Sequence, residues 1–238
     1  MKSNFVPGIN SCLKIIRSNI EIKKIYINKV ELVSNKRIQL IVNNKIIKKK
    51  VQILSKNDFE DLLPGVNSQG IIIEIKEQYF SLDEFIDHEY CKVLILDQVF
   101  DPQNLGACFR IADSFDFSLI IVPKKNSVNV TPTVHKIASG STATVGFKTV
   151  TNISRTIDFF KNNNFWIYGF VPQSGQLLTS TTFEKKSVFV FGSEGKGLRN
   201  LTKDKCDFLV NIEVHDRSES LNVSSAFSIV AYKSFINS

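Results

Sequence analysis

Three apolar runs in this chain of 238 residues each stop at a stretch of glycine and polar residues that opens a helical pattern. Val93-Leu94-Ile95-Leu96 leads into Asp101-Pro102-Gln103-Asn104-Leu105-Gly106. Val188-Phe189-Val190-Phe191 leads into Gly192-Ser193-Glu194-Gly195-Lys196-Gly197, and Phe208-Leu209-Val210-Asn211-Ile212 leads towards Glu219-Ser220-Leu221-Asn222. Strands without polar alternation are buried on both faces, the mark of a parallel sheet covered by helices on each side. The chain is thereby confined to an α/β architecture, in which ligands sit outside the carboxyl ends of the strands. Three such junctions in one domain predict one composite site.

The alternation of strand and helix runs on from Lys92, with elements expected at 93–99, 104–115, 118–122, 131–139, 153–163, 165–170, 188–191, 208–213 and 222–236. Thr131-Pro132 reads as a helix start, Thr at the cap and Pro in the first turn. The last helix carries Val223, Ala226, Phe227, Val230 and Ala231 on one face, which must cover the core or meet another subunit. Upstream, the pattern predicts a helix over 8–19, a strand at 24–28, a helix over 35–46 and a strand at 51–54. A short helix capped by Ser55 and ended by Pro64-Gly65 follows, then a strand at 70–75. These elements form a second, small α/β unit. The expected division is a domain at 1–80, a linker at 81–91 around the acidic stretch Asp83–Glu89, and a domain at 92–238.

Charge divides at the same place. Residues 1–80 hold 14 of the 30 Lys and Arg and 7 of the 23 Asp and Glu, so the whole net charge of +7 belongs to them. A basic module joined to a neutral one points to a part that holds a polyanion beside a part that does chemistry. With 43% hydrophobic and 22% charged residues the composition is that of a soluble globular protein, with no apolar run long enough to span a membrane. Met1–Gly8 reads as neither a secretory signal, for want of an apolar core, nor an Arg-rich transit peptide. Cys12, Cys91, Cys108 and Cys206 are widely spaced and form no CxxC pair, so they read as reduced residues of a cytoplasmic protein. Cys108, inside an apolar helix face, reads as packing.

At the first junction Asn104 is a candidate cap, and the N–H groups of the helix start suit an anion or an oxygen-rich ligand. Arg110, less than two turns on, points back to that junction or pairs with an acid. The second junction holds Glu194 in a tight glycine loop. Its spacing matches neither a P-loop nor the dinucleotide fingerprint, which counts against a dinucleotide-dependent oxidoreductase. Ser220 and Asn222 stand at the start of the last helix. His88, His135 and His215 fall outside all three junctions, so there is neither a metal cluster nor a Ser/His/Asp order. A site of Asn, Arg, Glu, Ser and Gly suits chemistry whose reactive group comes from a cofactor.

Together the three segments resemble the three motifs of the SpoU family of SPOUT-class RNA 2′-O-methyltransferases, over about residues 92–236. The N-terminal unit resembles the L30e-like substrate-binding domain of the branch that methylates guanosine in bacterial 23S rRNA. Gly8-Ile9-Asn10 and Gln69-Gly70-Ile71 are its markers. The resemblance implies a mainly parallel α/β methyltransferase domain with a deep C-terminal trefoil knot, and S-adenosylmethionine as cofactor. It implies that Gly192, Glu194, Ile212, Ser220, Leu221 and Asn222 line the cofactor pocket, with no metal. It makes Asn104, Arg110 and Glu194 the catalytic set, Asn104 and Arg110 facing the ribose. It also implies a homodimer through the knot-side helices.

The chain departs from the family where Glu213 and Asp216-Arg217 replace a Pro and a Gly before Ser220, and where no His precedes Gln69-Gly70. Two other readings stand beside a 23S rRNA guanosine methyltransferase. One is a tRNA 2′-O-methyltransferase, and the other a non-catalytic RNA-binding protein with a degenerate knot.

Overall fold

A computed structural model describes residues 4–44, 47–193, 197–215 and 221–236. They form two compact units, one of residues up to 78 with 130–144, the other of 79–129 with 145 onward.

The first unit carries β1 (Phe5–Pro7), α1 (Ile9–Arg17), β2 (Ile22–Asn28), α2 (Lys29–Ser34), α3 (Lys36–Val42), β3 (Val51–Leu54), α4 (Lys56–Glu60) and β4 (Ile71–Ile75). The sheet order is β1-β4-β2-β3, with β4 antiparallel to both neighbours and β2 parallel to β3. Isoleucine dominates its core: Ile25, Ile27, Ile71 and Ile73 of the strands meet Ile15 and Ile38 of the helices. The expected helix over 35–46 is the shorter α3, capped by Asn35 through Arg37 N at 3.0 Å, and the same residue ends α2, a helix the sequence pattern did not announce. Gln69 and Gly70 both take positive φ, 53° and 78°. That turn aims Gln69 Oε1 at the Ile9 amide, 3.1 Å away, and so supplies the start of α1 with the acceptor that Gly8 lacks. The helix Pro132–Ala138 belongs to this unit, with Thr131 its cap and Val134, His135 and Ala138 buried.

The second unit is built on β5 (Cys91–Leu96), α5 (Pro102–Ser114), β6 (Leu119–Pro123), β7 (Gly146–Val150), α7 (Ile153–Asn162), β8 (Trp166–Phe170), β9 (Gln176–Leu177), β10 (Lys186–Phe191), α8 (Asn200–Lys203), β11 (Phe208–Asn211) and α9 (Val223–Ile236), with Pro132–Ala138 counted as α6. Every strand pair in the order β7-β6-β5-β10-β8-β11-β9 is parallel. All six residues of β5 are buried, as a strand covered on both faces requires. On one face Val93, Ile95, Val188 and Val190 pack with Ile157 and Phe160 of α7. On the other, Phe227 of α9 meets Phe117 at 4.9 Å and Phe191 at 5.8 Å between ring centroids. The apolar face of the last helix therefore covers the core. Ile229, Tyr232, Phe235 and Ile236 remain exposed on its other side. Cys108 is fully buried, as expected of a packing residue.

Strand β10 enters between β5 and β8, both earlier in the chain. The carboxyl ends of β5 and β10 are thereby side by side, Leu96 opposite Phe191, and that of β11 lies on the same edge of the parallel sheet. All three junctions share that edge.

Candidate active site

At the first junction, β5 ends on Leu96 and is followed by Asp97 and then Gln98 at φ 67°. The helix then starts two residues earlier than expected. Asp101, not Asn104, is the cap, its carboxylate accepting from Gln103 N at 2.8 Å with Pro102 in the first turn. Asn104 thus stands inside the first turn of α5, buried, and its side chain is not the helix cap. Its Oδ1 accepts from Asn222 Nδ2 at 3.0 Å and from Ser224 Oγ at 3.5 Å. Asn222 in turn caps α9, its Oδ1 accepting from Ser224 N at 2.9 Å and Ser224 Oγ at 2.7 Å. The first and third junctions are one structure, joined amide to amide.

The second junction is joined to the first differently. The Asp97 amide donates to Phe191 O at 2.8 Å, at the end of β10. Gly192 follows, and a Cβ there would lie 2.1 Å from the backbone of Gly197, so no other residue fits. Ser193 bridges Gly197, whose N donates to Ser193 O at 2.9 Å. Leu198 is buried in the core, and Arg199 then returns to Asp97: Nε meets Oδ2 at 2.9 Å and Nη2 meets Oδ1 at 3.0 Å. Thr202 Oγ1 adds a third contact to that carboxylate at 3.3 Å. Sequence reading passed over Asp97, Arg199 and Thr202. The available signal was an acid closing an all-apolar strand, a buried charge that demands a partner.

Of the residues expected at the site, Asn104, Gly192 and Asn222 are gathered at the sheet edge. Ile212 is half-buried directly after β11, and Leu221 is half-buried beside Asn222. Arg110 is exposed on α5, about 9 Å along the axis from Asn104 at 1.5 Å per residue. Its guanidinium makes no ion pair among the described residues. Glu194 and Ser220, like Asp216 and Arg217, lie outside the described residues. Glu213 accepts from Thr179 Oγ1 at 2.9 Å. Asn211 Oδ1, at the end of β11, is buried without a hydrogen-bond partner among the described residues. Burial pushes the Cys108 thiol well above its ordinary range and Cys206 up to about 12, so neither is a nucleophile at neutral pH. No three His, Cys, Asp or Glu side chains gather as a metal site among the described residues. No helix there is long and apolar enough to cross a membrane.

A parallel sheet whose strand ends gather Asn and glycine backbone, in a chain that also carries a small basic α/β unit, fits the class of cofactor-dependent enzymes acting on a polyanion. The comparisons narrow that class. The SpoU rRNA Methylase family profile matches residues 92–232, and the profile for RNA 2′-O ribose methyltransferase substrate binding matches residues 5–80. The chain belongs to the SpoU rRNA methylase family. It is 39% identical over 220 residues to the 23S rRNA (guanosine-2′-O-)-methyltransferase RlmB of Coxiella burnetii, covering 89% of this chain and 86% of that protein. To RlmB of Vibrio vulnificus it is 32% identical, covering 98% and 96%. The crystal structure of the SpoU methyltransferase AviRb from Streptomyces viridochromogenes, in complex with the cofactor AdoMet, shares the fold. Its TM-score is 0.82 at 18% identity, over 96% of this chain and 88% of that one.

Proposed function

We propose that this chain transfers the methyl group of S-adenosylmethionine to the ribose 2′-hydroxyl of a guanosine in 23S rRNA. The observation that carries the reading is the joining of the first and third junctions through Asn104 and Asn222, on the strand-end edge where a ligand sits. The relatives of matching length, each named for that reaction, support the choice of RNA and nucleotide.

The residues present fit the cofactor. The second junction offers backbone that a Cβ would obstruct, and the third offers the buried acceptor Asn211 Oδ1, unmatched among the described residues. In this reading Gly192, Glu194, Ile212, Ser220, Leu221 and Asn222 hold the cofactor. When bound, S-adenosylmethionine supplies a methyl group on a sulfonium, ready for in-line attack by an oxygen. The remaining task is the proton of the 2′-hydroxyl. Arg110 is an unsuitable base, because a guanidinium is essentially never deprotonated in a protein. As an exposed cation it stabilises the oxygen as its proton leaves, and it orients an RNA phosphate able to accept that proton. Asn104 holds the start of α5, and with it Arg110, in register with the third junction.

The N-terminal unit, basic and four-stranded, is read as an L30e-like domain that holds the RNA. Insertion of β10 between two earlier strands supports a trefoil knot in the second unit. The apolar strip Ile229, Tyr232 and Ile236 on α9 supports a homodimer formed there. An rRNA substrate puts the work in the cytoplasm.

The test is methylation of 23S rRNA with labelled S-adenosylmethionine, followed by mapping of the modified ribose. Wild-type protein labels one guanosine 2′-oxygen. Arg110→Ala lowers turnover by about a hundredfold or more while S-adenosylmethionine affinity by calorimetry stays within about threefold, the signature of a group acting on the transition state. Normal turnover in that variant overturns the role of Arg110. Label on another RNA, or none from the wild type, overturns the function.

A further inference from the structure

We infer that Asp97 is a positioning residue that clasps both flanks of the glycine segment of the second junction, and through it sets the shape of the cofactor site. The inference rests on the reading of that site as an S-adenosylmethionine pocket. One residue makes both attachments. Its amide takes the carbonyl of Phe191, immediately before Gly192, and its carboxylate takes the side chain of Arg199, immediately after Leu198. The flanks of that segment are therefore both tied to the one residue that follows β5, the strand that leads to Asn104. First and second junctions cannot move independently while the clasp holds.

The geometry is of a positioning kind. The Asp97 side chain is 1% exposed whereas that of Arg199 is 54% exposed, so the carboxylate is the fixed point and the arginine reaches in from solvent. The fork is bidentate, which fixes direction as well as distance, and Thr202 Oγ1 occupies a further lone pair of Oδ2 at 3.3 Å. A pair with one partner half in solvent adds modest net stability, so its use lies in selecting one arrangement of the chain. Arg199 also precedes α8, whose backbone it helps start: the amides of Thr202 and Lys203 both return to Arg199 O at 2.9 Å. Neither Asp97 nor Arg199 needs to touch the cofactor for this. A pocket whose wall shifts by about 1 Å loses one to two orders of magnitude in binding or rate.

Arg199→Lys in the full chain is the discriminating change. It keeps a cation for the buried carboxylate but loses the two-point fork. The clasp predicts a KM and a calorimetric Kd for S-adenosylmethionine raised by roughly tenfold, with kcat at saturating cofactor and the KM for 23S rRNA within about twofold of wild type. Arg199→Ala raises them further, so that Lys is a partial rescue. A variant that melts at a lower temperature yet binds S-adenosylmethionine normally shows a purely structural pair and overturns the proposal. A second measurement needs only the wild type: amide exchange with and without S-adenosylmethionine. The Asp97 amide, bonded to the flank of the pocket, should slow by about tenfold or more on binding, along with the amides at 197–199. Protection gained at 221–224 alone overturns the clasp while leaving the cofactor reading intact. Wild-type protein that binds no S-adenosylmethionine overturns that reading itself.

Discussion

At the scale of single residues, the site is organised by side chains whose hydrogen-bonding capacity is used on other parts of the site. Asn104 is the clearest. With Asp101 holding the helix start, its amide is available to Asn222, and buried acceptors of this kind are rarely left unmade. Asn104→Ala removes the 3.0 Å bond to Asn222 Nδ2, and because Asn222 is exposed and can turn to water, unfolding free energy should fall by about 0.5–1.5 kcal/mol, read from urea titration. S-adenosylmethionine affinity should fall with it, since the third junction loses its tie to the first. Stability unchanged in that variant would show that the two amides are neighbours of no consequence. Lys92 is the opposite case, a buried cation remote from the strand ends. It is 2% exposed, and its Nζ has no hydrogen-bond partner among the described residues. It lies over the rings of Tyr90 and Phe117 at 5.2 Å and Phe235 at 5.8 Å. Cation–π attraction of about 2 kcal/mol at a desolvated site only partly offsets the burial of an ammonium. Lys92→Met, of similar shape and without charge, is expected to keep or raise the melting temperature, by up to a few degrees. A clear fall in melting temperature would mean that the rings hold the cation more tightly than that.

Elements follow from local rules wherever cap and period agree. Asp101 at the cap and Pro102 in the first turn define the start of α5, so Asp101→Ala should cost about 1 kcal/mol and lower the melting temperature, with little change in S-adenosylmethionine affinity. A melting temperature equal to wild type would place the helix start elsewhere. The long parallel strands, α1, α7 and α9 were legible because their apolar periods are strong. The residues of the first and third junctions were legible as a set for the same reason, since each follows such a strand. What escaped was set by competition or by partners. Asn104 looked like a cap because it is a cap-forming residue three positions beyond the true one, Asp101. Helix α2, just before Asn35, leaves Val30 and Val33 exposed and so shows no apolar period. Strand β7, Gly146–Val150, lies at the sheet edge and mixes Lys148 and Thr149 with apolar residues, so it carried no buried-strand pattern. Strands β1 and β9, of three and two residues, are too short to show a period at all. Arg199 could be seen in the sequence, but its partner Asp97 is 102 residues away, and only the placing of β10 beside β5 brings them together.

For the molecule as a whole, the separation of charge from chemistry decides what should depend on salt. The net charge of +7 falls in residues 1–80, and Lys48 and Lys49 are exposed beside Lys50, whose Nζ is engaged by Ile22 O at 2.6 Å. Cutting the chain after residue 78 is a poor way to test the division. The helix Pro132–Ala138 buries Val134 and Ala138 within the first unit, and deletion would expose them. Substitution keeps both units whole. RNA binding through phosphate contacts releases counterions, at a slope of roughly 0.7–0.9 in log affinity against log salt for each phosphate neutralised. The KM for 23S rRNA should therefore rise steeply between about 50 and 200 mM KCl, whereas the Kd for S-adenosylmethionine, whose proposed site lies in the neutral part of the chain, should stay nearly flat. Lys48→Gln with Lys49→Gln should reduce the slope for RNA by about 1–2 and leave kcat alone, because the lost contacts hold the polyanion and touch no reacting atom. A slope unchanged by the double substitution would remove these lysines from the RNA surface. A KM for RNA that ignores salt altogether would leave the basic charge of the first unit as a matter of solubility.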